Sequence, residues 1–287
     1  MTTRVDSPAA VGVVGGGTMG VGIAHAFAAA GETVVLVEAD PSRAEAAFAA
    51  VETTLRRAAA LGHSENTDGA VSRVSATADR GELAGVSLVV EAVPEDRSLK
   101  CQILGAIEQV IDDSTVLASN TSSISIAFLA GALTRPDRFL GMHFFNPVPA
   151  SRLIELVHGP QTSRATIDAA QGWAQQIGKQ AIEVADSPGF ASSRLGVAIG
   201  LEAIRMLEGG VASAADIDDA MVLGYRFPMG PLRLTDLVGL DVRLGIAEYL
   251  HETLGERFAP PRLLRDKVEL GELGKKCGRG FFDWPAS

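Results

Sequence analysis

The stretch AVGVVGGGTMGVGIAHAFAAAGETVVLVE, residues 10–38, decides the fold of the chain. Its apolar run Ala10–Gly15 predicts a buried strand, and the glycine-rich segment that follows opens a helix predicted over Met19–Ala30. A second apolar run, Thr33–Glu38, predicts the next strand. Strand, glycine turn, helix and strand in this order are typical of a dinucleotide-binding βαβ unit.

The glycine turn GGGTMG at residues 15–20 fits the pattern G-x-G-x-x-G. In that pattern Gly15 permits the tight turn, Gly17 lets the backbone approach a pyrophosphate, and Gly20 lets the helix pack against the strand. The N–H groups at the start of the helix then face the phosphates. The cofactor-binding residues predicted here are Gly15, Gly17, Thr18, Met19 and Gly20.

An acidic residue ends the second predicted strand. Glu38 follows Gly17 by 21 residues, a spacing at which a carboxylate hydrogen-bonds the ribose 2′-hydroxyl of NAD. The same carboxylate repels a 2′-phosphate, so the sequence favours NAD over NADP. Arg43 lies close by in the sequence and is the one residue here that weakens this preference.

Short apolar runs alternate with helical patterns as far as residue 185, which predicts βαβ units and a mostly parallel, doubly wound sheet of the Rossmann type. The turn-rich Asp186–Gly189 predicts a boundary between a domain over residues 1–186 and a smaller all-helical domain over residues 187–287. Further strands are predicted at Ser87–Ala92, Thr115–Ser119, Leu153–Val157 and Ala181–Val184, and helices at Ser42–Leu61, Leu99–Ile111, Ser163–Ile177, Ala191–Glu208, Ser213–Leu223, Leu232–Leu250 and Pro261–Leu270.

Composition narrows the classes of function. The 287 residues carry a formal charge of −10, which argues against a general nucleic-acid binder, because phosphate contacts need clustered Lys and Arg. The two cysteines form no disulfide framework, and no Cys/His cluster has the spacing of a metal site. No apolar run is long enough to span a membrane, and no signal peptide is recognisable. We expect a cytoplasmic protein without a bound metal.

A histidine and a glutamate form the candidate catalytic pair. His143 stands at a predicted strand end, and Glu155 follows 12 residues later within the predicted strand Leu153–Val157. A turn at Pro147–Pro149 would bring the two side chains together. A carboxylate beside an imidazole sets its tautomer and makes it a candidate general base. From spacing alone, a purely structural pair is an equal alternative.

Six motifs, in order, give the chain its resemblance to the L-3-hydroxyacyl-CoA dehydrogenase family, which includes the 3-hydroxybutyryl-CoA dehydrogenases. The resemblance runs from about Val11 to Trp284. The motifs are GGGTMGVGIA at residues 15–24, VVEAVPED at 89–96, SNTSSISI at 119–126, HFFNPVP at 143–149, PMGP at 228–231 and GRGFFDW at 278–284.

The resemblance implies a role for each matching residue. His143 would take the proton of the substrate 3-hydroxyl, Glu155 would orient His143, and Ser122 would contact the reacting oxygen near the nicotinamide. A helical C-terminal domain that forms a homodimer is also implied. Additional cofactor contacts are expected from Glu95, Lys100, Asn120, Asn146 and Lys276.

The sequence departs from the family pattern beside the catalytic pair. The family has Asn where this chain has Ser193, so the site residue is shorter and carries a hydroxyl in place of an amide. The change is compatible with lower activity, with another substrate, or with a water filling the gap. Because His143 and Glu155 remain, we expect catalysis to be preserved.

A second departure lies where the family binds the CoA phosphates. Thr54 matches a family serine at the CoA site, but Leu61 falls where a phosphate-binding lysine is expected. Arg56 and Arg57 remain nearby. One reading is that other cations serve the phosphates of CoA. The alternative is that the acyl group arrives on the phosphopantetheine arm of an acyl carrier protein.

The leading hypothesis is an oxidoreductase of the EC 1.1.1 class that uses NAD to oxidise a 3-hydroxyacyl thioester to the 3-oxoacyl thioester, reversibly, in fatty acid metabolism. The first alternative is a dehydrogenase acting on a hydroxyacyl group held by a carrier protein in a biosynthetic pathway. A lesser alternative is an NAD-binding protein without turnover, for which Ser193 is the single supporting feature.

Overall fold

The computed structural model describes residues 10–62 and 66–285. The chain divides into two compact units, with the division between Asp186 and Ser187. The first unit alternates strands and helices, and the second is helical. This is the predicted fold class. Within the described ranges, no helix combines the length and the apolar character needed to cross a membrane.

Eight strands form one sheet in the order β3-β2-β1-β4-β5-β6-β7-β8. Strands β1 to β6 run parallel to their neighbours, β7 is antiparallel to β6, and β8 is parallel to β7. The strands are β1 (Val11–Val14), β2 (Val34–Val37), β3 (Val74–Thr77), β4 (Leu88–Glu91), β5 (Val116–Ser119), β6 (Phe139–Phe144), β7 (Leu153–His158) and β8 (Gln180–Ala185).

The first unit covers the sheet with helices. The central strands are buried along their whole length, as expected of apolar strands in a parallel sheet. Helix α1 packs its first turns closely against β1 because its residues there are small. The helices are α1 (Thr18–Ala29), α2 (Pro41–Ala60), α3 (Thr67–Val71), α4 (Arg97–Glu108), α5 (Ile126–Ala130) and α6 (Arg164–Gln176).

Three short elements of this unit were not predicted. Strand β3 has the sequence VSAT and lies at the edge of the sheet, so it lacks the continuous apolar run of the central strands. Helices α3 and α5 have five residues each, too few to show a helical period.

The helical unit contains α7 (Ser192–Glu208), α8 (Ala214–Asp219), α9 (Pro231–Val238), α10 (Leu240–Leu254) and α11 (Arg262–Glu269). Ser213 caps α8 as predicted, and its hydroxyl accepts from the backbone N–H of Asp216 at 3.2 Å. Beyond α8 the chain continues as a π-helical turn, Ala220–Gly224, where an α-helix was predicted.

The single helix predicted over Leu232–Leu250 is wrong. The structure has two helices there, α9 and α10, which are separated at Gly239. Gly239 has a φ of +100°, a conformation that interrupts a right-handed helix and that glycine adopts without strain. Apolar periodicity continues on both sides of this residue, which is why the sequence pattern did not reveal the break.

Candidate active site

The turn between β1 and α1 requires glycine at two positions. Gly15 has a φ of +103°, and a Cβ atom there would lie 2.8 Å from the carbonyl oxygen of Ala92. A Cβ atom on Gly20 would lie 1.7 Å from the carbonyl oxygen of Gly15. Any side chain at Gly20 would therefore push α1 away from the turn that precedes it.

Gly17 has a different role in the same turn. It is the N-cap of α1, and no side chain caps the helix there. A Cβ atom built on Gly17 would meet no described atom within 4 Å. The first N–H groups of α1, from Thr18 and Met19 onward, receive no side-chain cap, and the positive end of the helix dipole lies at this turn. This arrangement fits a dinucleotide pyrophosphate.

The carboxylate of Glu38 lies beside this turn. Its Oε1 accepts from the N–H of Gly16 at 2.6 Å, and its Oε2 accepts from the N–H of Ala39 at 2.9 Å. These bonds hold a negative charge at the end of β2, the position at which a ribose is bound in such folds. Arg43 does not offset that charge, because its guanidinium is 3.5 Å from Asp40 and its side chain is 69% exposed.

His143 and Glu155 are direct partners across β6 and β7. The antiparallel register pairs the two residues, and the histidine Nδ1 lies 2.6 Å from Oε2 of the glutamate. Glu155 is fully buried and His143 is 6% exposed. With Nδ1–H donated to the carboxylate, Nε2 is the ring atom that exchanges protons. The ring of Phe145 packs against the imidazole at 4.5 Å between centroids.

Ser122 lies in a loop that one carboxylate holds. Oε1 of Glu95 accepts from the N–H of Ser122 at 3.0 Å, the N–H of Ser123 at 3.2 Å and the hydroxyl of Thr121 at 2.6 Å. Glu95 therefore fixes the backbone on both sides of the serine. The prediction that Glu95 contacts the cofactor directly stays a prediction.

Lys100 forms an ion pair with Glu95. Its side chain is fully buried, with Nζ 2.7 Å from Glu91 and 3.4 Å from Glu95. The second oxygen of Glu91 accepts from the hydroxyl of Ser119 at 2.5 Å. In this arrangement Lys100 holds the two acids, and a direct cofactor contact by Lys100 stays a prediction. Sequence analysis did not single out Glu91, although a charged residue ending an apolar strand is a usable signal.

The two predicted asparagines differ in position. Oδ1 of Asn120 accepts from the N–H of Phe144 at 2.9 Å, so this side chain joins the end of β5 to the end of β6 next to His143. Asn146 is exposed and lines a cavity of about 370 Å³ together with the glycine turn. Contact of either residue with the cofactor stays a prediction.

The same cavity contains Thr54, the predicted substrate contact. Its hydroxyl donates to the carbonyl of Val51 at 2.8 Å and lies 3.0 Å from Nδ1 of the buried His25. Sequence analysis missed Lys179, which supports the part of the cavity lining that contains Val148. Nζ of Lys179 donates to the carbonyls of Val148 and Ser151, both at 2.6 Å. Lys179 thus holds the loop that follows His143.

Comparison with known proteins identifies the family. The model for the 3-hydroxyacyl-CoA dehydrogenase NAD binding domain matches residues 10–187, and the model for the C-terminal domain of the same enzymes matches residues 189–284. The chain belongs to the 3-hydroxyacyl-CoA dehydrogenase family. It is therefore an oxidoreductase with an NAD-binding domain, and the resemblance inferred from its motifs is confirmed.

Relatives in this family match over nearly the whole chain. A 3-hydroxybutyryl-CoA dehydrogenase of Mycobacterium tuberculosis is 43% identical over 284 residues, covering 97% of this chain and 99% of the relative. The mitochondrial hydroxyacyl-coenzyme A dehydrogenase of Sus scrofa is 39% identical, covering 96% and 90%. The crystal structure of the (S)-3-hydroxybutyryl-CoA dehydrogenase PaaH1 from Ralstonia eutropha matches with a TM-score of 0.93 and 40% identity, covering 98% and 100%.

Two site residues that family resemblance assigns lie in the helical unit. Ser193 is the second residue of α7. Nζ of Lys276 lies 2.6 Å from both carboxylate oxygens of Asp241, which follows Gly239 at the start of α10. The roles of Ser193 and Lys276 in the dehydrogenase reaction stay predictions.

The departure at the CoA position has a structural counterpart. Leu61 follows the last residue of α2 and is 65% exposed. One turn earlier, Arg56 pairs with Glu52 at 2.8 Å and with Asp68 at 3.3 Å, so carboxylates already engage this cation. This stretch of a 3-hydroxyacyl-CoA dehydrogenase therefore offers less positive charge than its two arginines suggest.

Proposed function

We propose that this protein catalyses the reversible, NAD-dependent oxidation of a short 3-hydroxyacyl-CoA, such as 3-hydroxybutyryl-CoA, to the 3-oxoacyl-CoA. The observation that carries the proposal is the buried His143–Glu155 pair in a chain of this family. The relatives named above as 3-hydroxybutyryl-CoA dehydrogenases support the choice of a short acyl group.

Oxidation of the alcohol requires the transfer of a hydride from C3 and of a proton from the 3-hydroxyl. The bound nicotinamide supplies the acceptor for the hydride that leaves C3. Nε2 of His143 takes the proton of the 3-hydroxyl, so the C3–O bond becomes a carbonyl. Glu155 accepts from Nδ1–H and stabilises the imidazolium that forms. In the reverse direction the imidazolium returns the proton to the oxygen.

The other residues position these groups. Ser122, whose backbone N–H and hydroxyl both donate to Glu95 in the structure, contacts the reacting oxygen. The glycine turn and the start of α1 bind the pyrophosphate, and Glu38 binds the ribose of NAD. Thr54 contacts the CoA moiety, and Ser193 takes the role that the family resemblance gives to the asparagine of this position.

Delivery of the acyl group by a carrier protein is the second candidate. The exposed Leu61 and the pairing of Arg56 with two acids favour it, because both reduce the positive charge offered to CoA phosphates. A phosphopantetheine arm brings one phosphate and a protein surface, on which an exposed leucine is an ordinary contact.

A homodimer formed through the helical unit is part of the proposal. Large apolar side chains are exposed on that unit, and such side chains mark an interaction surface where they form a contiguous patch. Among them are Leu195, Val211, Leu223, Tyr225 and Val242. The cytoplasmic location stays a prediction.

The test is NADH formation, followed by absorbance at 340 nm, with 3-hydroxybutyryl-CoA beside the same acyl group on a pantetheinylated carrier protein. We expect turnover with the CoA thioester. Turnover with the carrier alone would replace the leading proposal by the second candidate. Absence of turnover with both, in a protein that binds NAD by calorimetry, would contradict both.

A further inference from the structure

The cavity of about 370 Å³ in the first unit has a largely apolar lining. Three of its lining residues carry a polar side chain, namely Thr18, Thr54 and Asn146. Thr18 and Asn146 are predicted cofactor contacts, so Thr54 is the polar side chain left for another ligand. The apolar part of the lining comes from α1, α2 and the loop after His143, at Val21, Ala50, Pro147, Val148 and Pro149.

The hydrogen bonds of Thr54 determine what its hydroxyl can still do. Oγ1 lies 2.8 Å from the carbonyl oxygen of Val51 and 3.0 Å from Nδ1 of His25. A carbonyl oxygen only accepts, so the single hydroxyl proton is donated to Val51. The bond to His25 then forms only when Nδ1 carries a proton and donates it. The two contacts together therefore assign the Nδ1–H form of His25.

His25 holds the hydroxyl of Thr54 in one of two positions. A threonine in a helix divides between two rotamers, because its hydroxyl can bond a carbonyl three or four residues earlier. The exposed Thr53 bonds the carbonyl of Ala49, four residues earlier, at 2.8 Å. Thr54, in contact with the buried His25, bonds the carbonyl three residues earlier instead. The contact with His25 thus favours the rotamer that Thr54 adopts.

A hydroxyl held in this way accepts a further hydrogen bond but does not donate one. Its proton is given to Val51 and one lone pair of Oγ1 to His25, which leaves one lone pair for a ligand. The phosphates of CoA present acceptor oxygens at neutral pH, so they do not complement this group. The pantetheine arm presents amide N–H groups and a hydroxyl, which do complement it, and its dimethyl segment suits an apolar lining.

The charges further along α2 favour the same assignment. Arg56 is already paired with Glu52 and Asp68, and the exposed Leu61 brings no charge. Because less positive charge is offered to phosphates here, contacts with the arm itself contribute more to the binding of the thioester.

We propose that His25 is a positioning residue that holds Thr54 as the acceptor for a hydrogen-bond donor of the pantetheine arm. This inference rests on the proposed function. It assigns Thr54 to the arm, which CoA and a carrier protein share, and not to the phosphates of CoA. An N–H or hydroxyl of NAD is the other source of the same donor chemistry, because the start of α1 lines the same cavity.

The kinetic test compares 3-hydroxybutyryl-CoA with the 3-hydroxybutyryl thioester of pantetheine, which lacks the CoA phosphates. Thr54→Val keeps the shape of the side chain and removes the acceptor. We expect it to raise KM roughly 3- to 10-fold for both thioesters, the effect of one neutral hydrogen bond, with kcat and NAD affinity unchanged. Thr53→Val is the matched control, because the exposed hydroxyl of Thr53 makes the same kind of bond within α2. It should keep both KM values.

Two substitutions and one spectrum test the role of His25. His25→Leu removes the donor and should raise the same two KM values, and combining it with Thr54→Val should add no further increase. His25→Asn places an amide N–H where Nδ1–H stood and should restore the lower KM. Thermal melts verify that the variants fold. Nitrogen NMR of isotope-labelled histidine rings reads the tautomer directly and should show His25 as Nδ1–H at about pH 8, where the imidazole is neutral.

Four results would overturn the inference and leave the proposed function standing. An Nε2–H tautomer of His25 would contradict the assignment of the hydroxyl proton. A rise in KM confined to the CoA thioester would assign Thr54 to a phosphate, and weaker NAD binding by calorimetry would assign it to the cofactor. Unchanged KM values in Thr54→Val and His25→Leu would show that both residues are structural. Absence of turnover with every 3-hydroxyacyl thioester would instead contradict the proposed function itself.

Discussion

Nδ1 of His143 and Oε2 of Glu155 are 2.6 Å apart, and the two residues are register partners in the antiparallel pair β6–β7. Because strand pairing fixes both backbones, the orientation of the imidazole depends on a rigid part of the sheet rather than on a loop. The carboxylate is fully buried, so it makes this contact without competition from water.

The charge of Glu155 should therefore be essential for turnover. Glu155→Gln keeps the shape of the side chain but no longer stabilises the imidazolium, and its amide also permits the wrong tautomer of His143. We expect kcat to fall by at least about 10-fold, with NAD binding unchanged. Steady-state kinetics and calorimetry measure the two quantities. Glu183→Gln is the control, because Glu183 is exposed on the edge strand β8, and it should keep the wild-type kcat. Wild-type turnover in Glu155→Gln would show that the pair is structural.

Glu38 should set the preference for NAD. Glu38→Gln preserves an acceptor for the N–H of Gly16 but removes the charge that repels a 2′-phosphate. We expect weaker binding of NAD and a higher ratio of NADP to NAD efficiency. Glu45→Gln on α2, where the side chain is exposed, is the control and should leave the ratio unchanged. A wild-type enzyme that already prefers NADP would refute this role for Glu38.

The buried pair of Lys100 with Glu91 should contribute to stability as a unit. Lys100→Met leaves Glu91 as an unpaired buried charge, and we expect the free energy of unfolding to fall by about 3–5 kcal/mol. Combining it with Glu91→Gln removes both charges and should restore part of the loss. Urea denaturation measures these differences. Arg164→Met, which removes the exposed ion pairs of Arg164 with Asp168 and Glu183, should leave the free energy of unfolding close to the wild-type value.

A different result would change the role assigned to Lys100. If Lys100→Met were as stable as the wild type and bound NAD more weakly, the lysine would be a direct cofactor contact, as family resemblance implies, rather than the support of Glu91 and Glu95.

His25 should make the protein less stable in mild acid. Burial lowers its pKa, so the folded protein keeps the imidazole neutral where the unfolded chain, with an ordinary pKa of 6.5, already binds a proton. The unfolded state gains protons as the pH falls through that value, and the free energy of unfolding decreases. His25→Asn should show a smaller decrease between about pH 7.5 and about pH 5.5. An unchanged decrease in His25→Asn would contradict the assignment.

The sequence predicted the elements with strong local signals. Strand β1, the glycine turn and helix α1 were identified because an apolar run, a motif and a helical period meet there. The pairing of His143 with Glu155 was anticipated from a turn between two strands, yet spacing alone did not distinguish it from a structural pair.

Other features depend on contacts between distant segments. The edge strand β3 follows from pairing with β2, and the break at Gly239 follows from a backbone angle. Glu91 meets Ser119 because β4 and β5 are neighbours in the sheet. Lys179 reaches the loop after His143 from a segment more than 25 residues away. Such long-range contacts leave no local pattern in the sequence.

The central claim is that His143 is the general base, and His143→Gln tests it most directly. NADH formation from 3-hydroxybutyryl-CoA is measured at 340 nm beside His158→Gln, a histidine control at the end of β7. We predict that kcat of His143→Gln falls roughly 10²- to 10⁴-fold while NAD affinity by calorimetry is unchanged, and that the control keeps its activity. Turnover of His143→Gln at the wild-type rate would contradict the account.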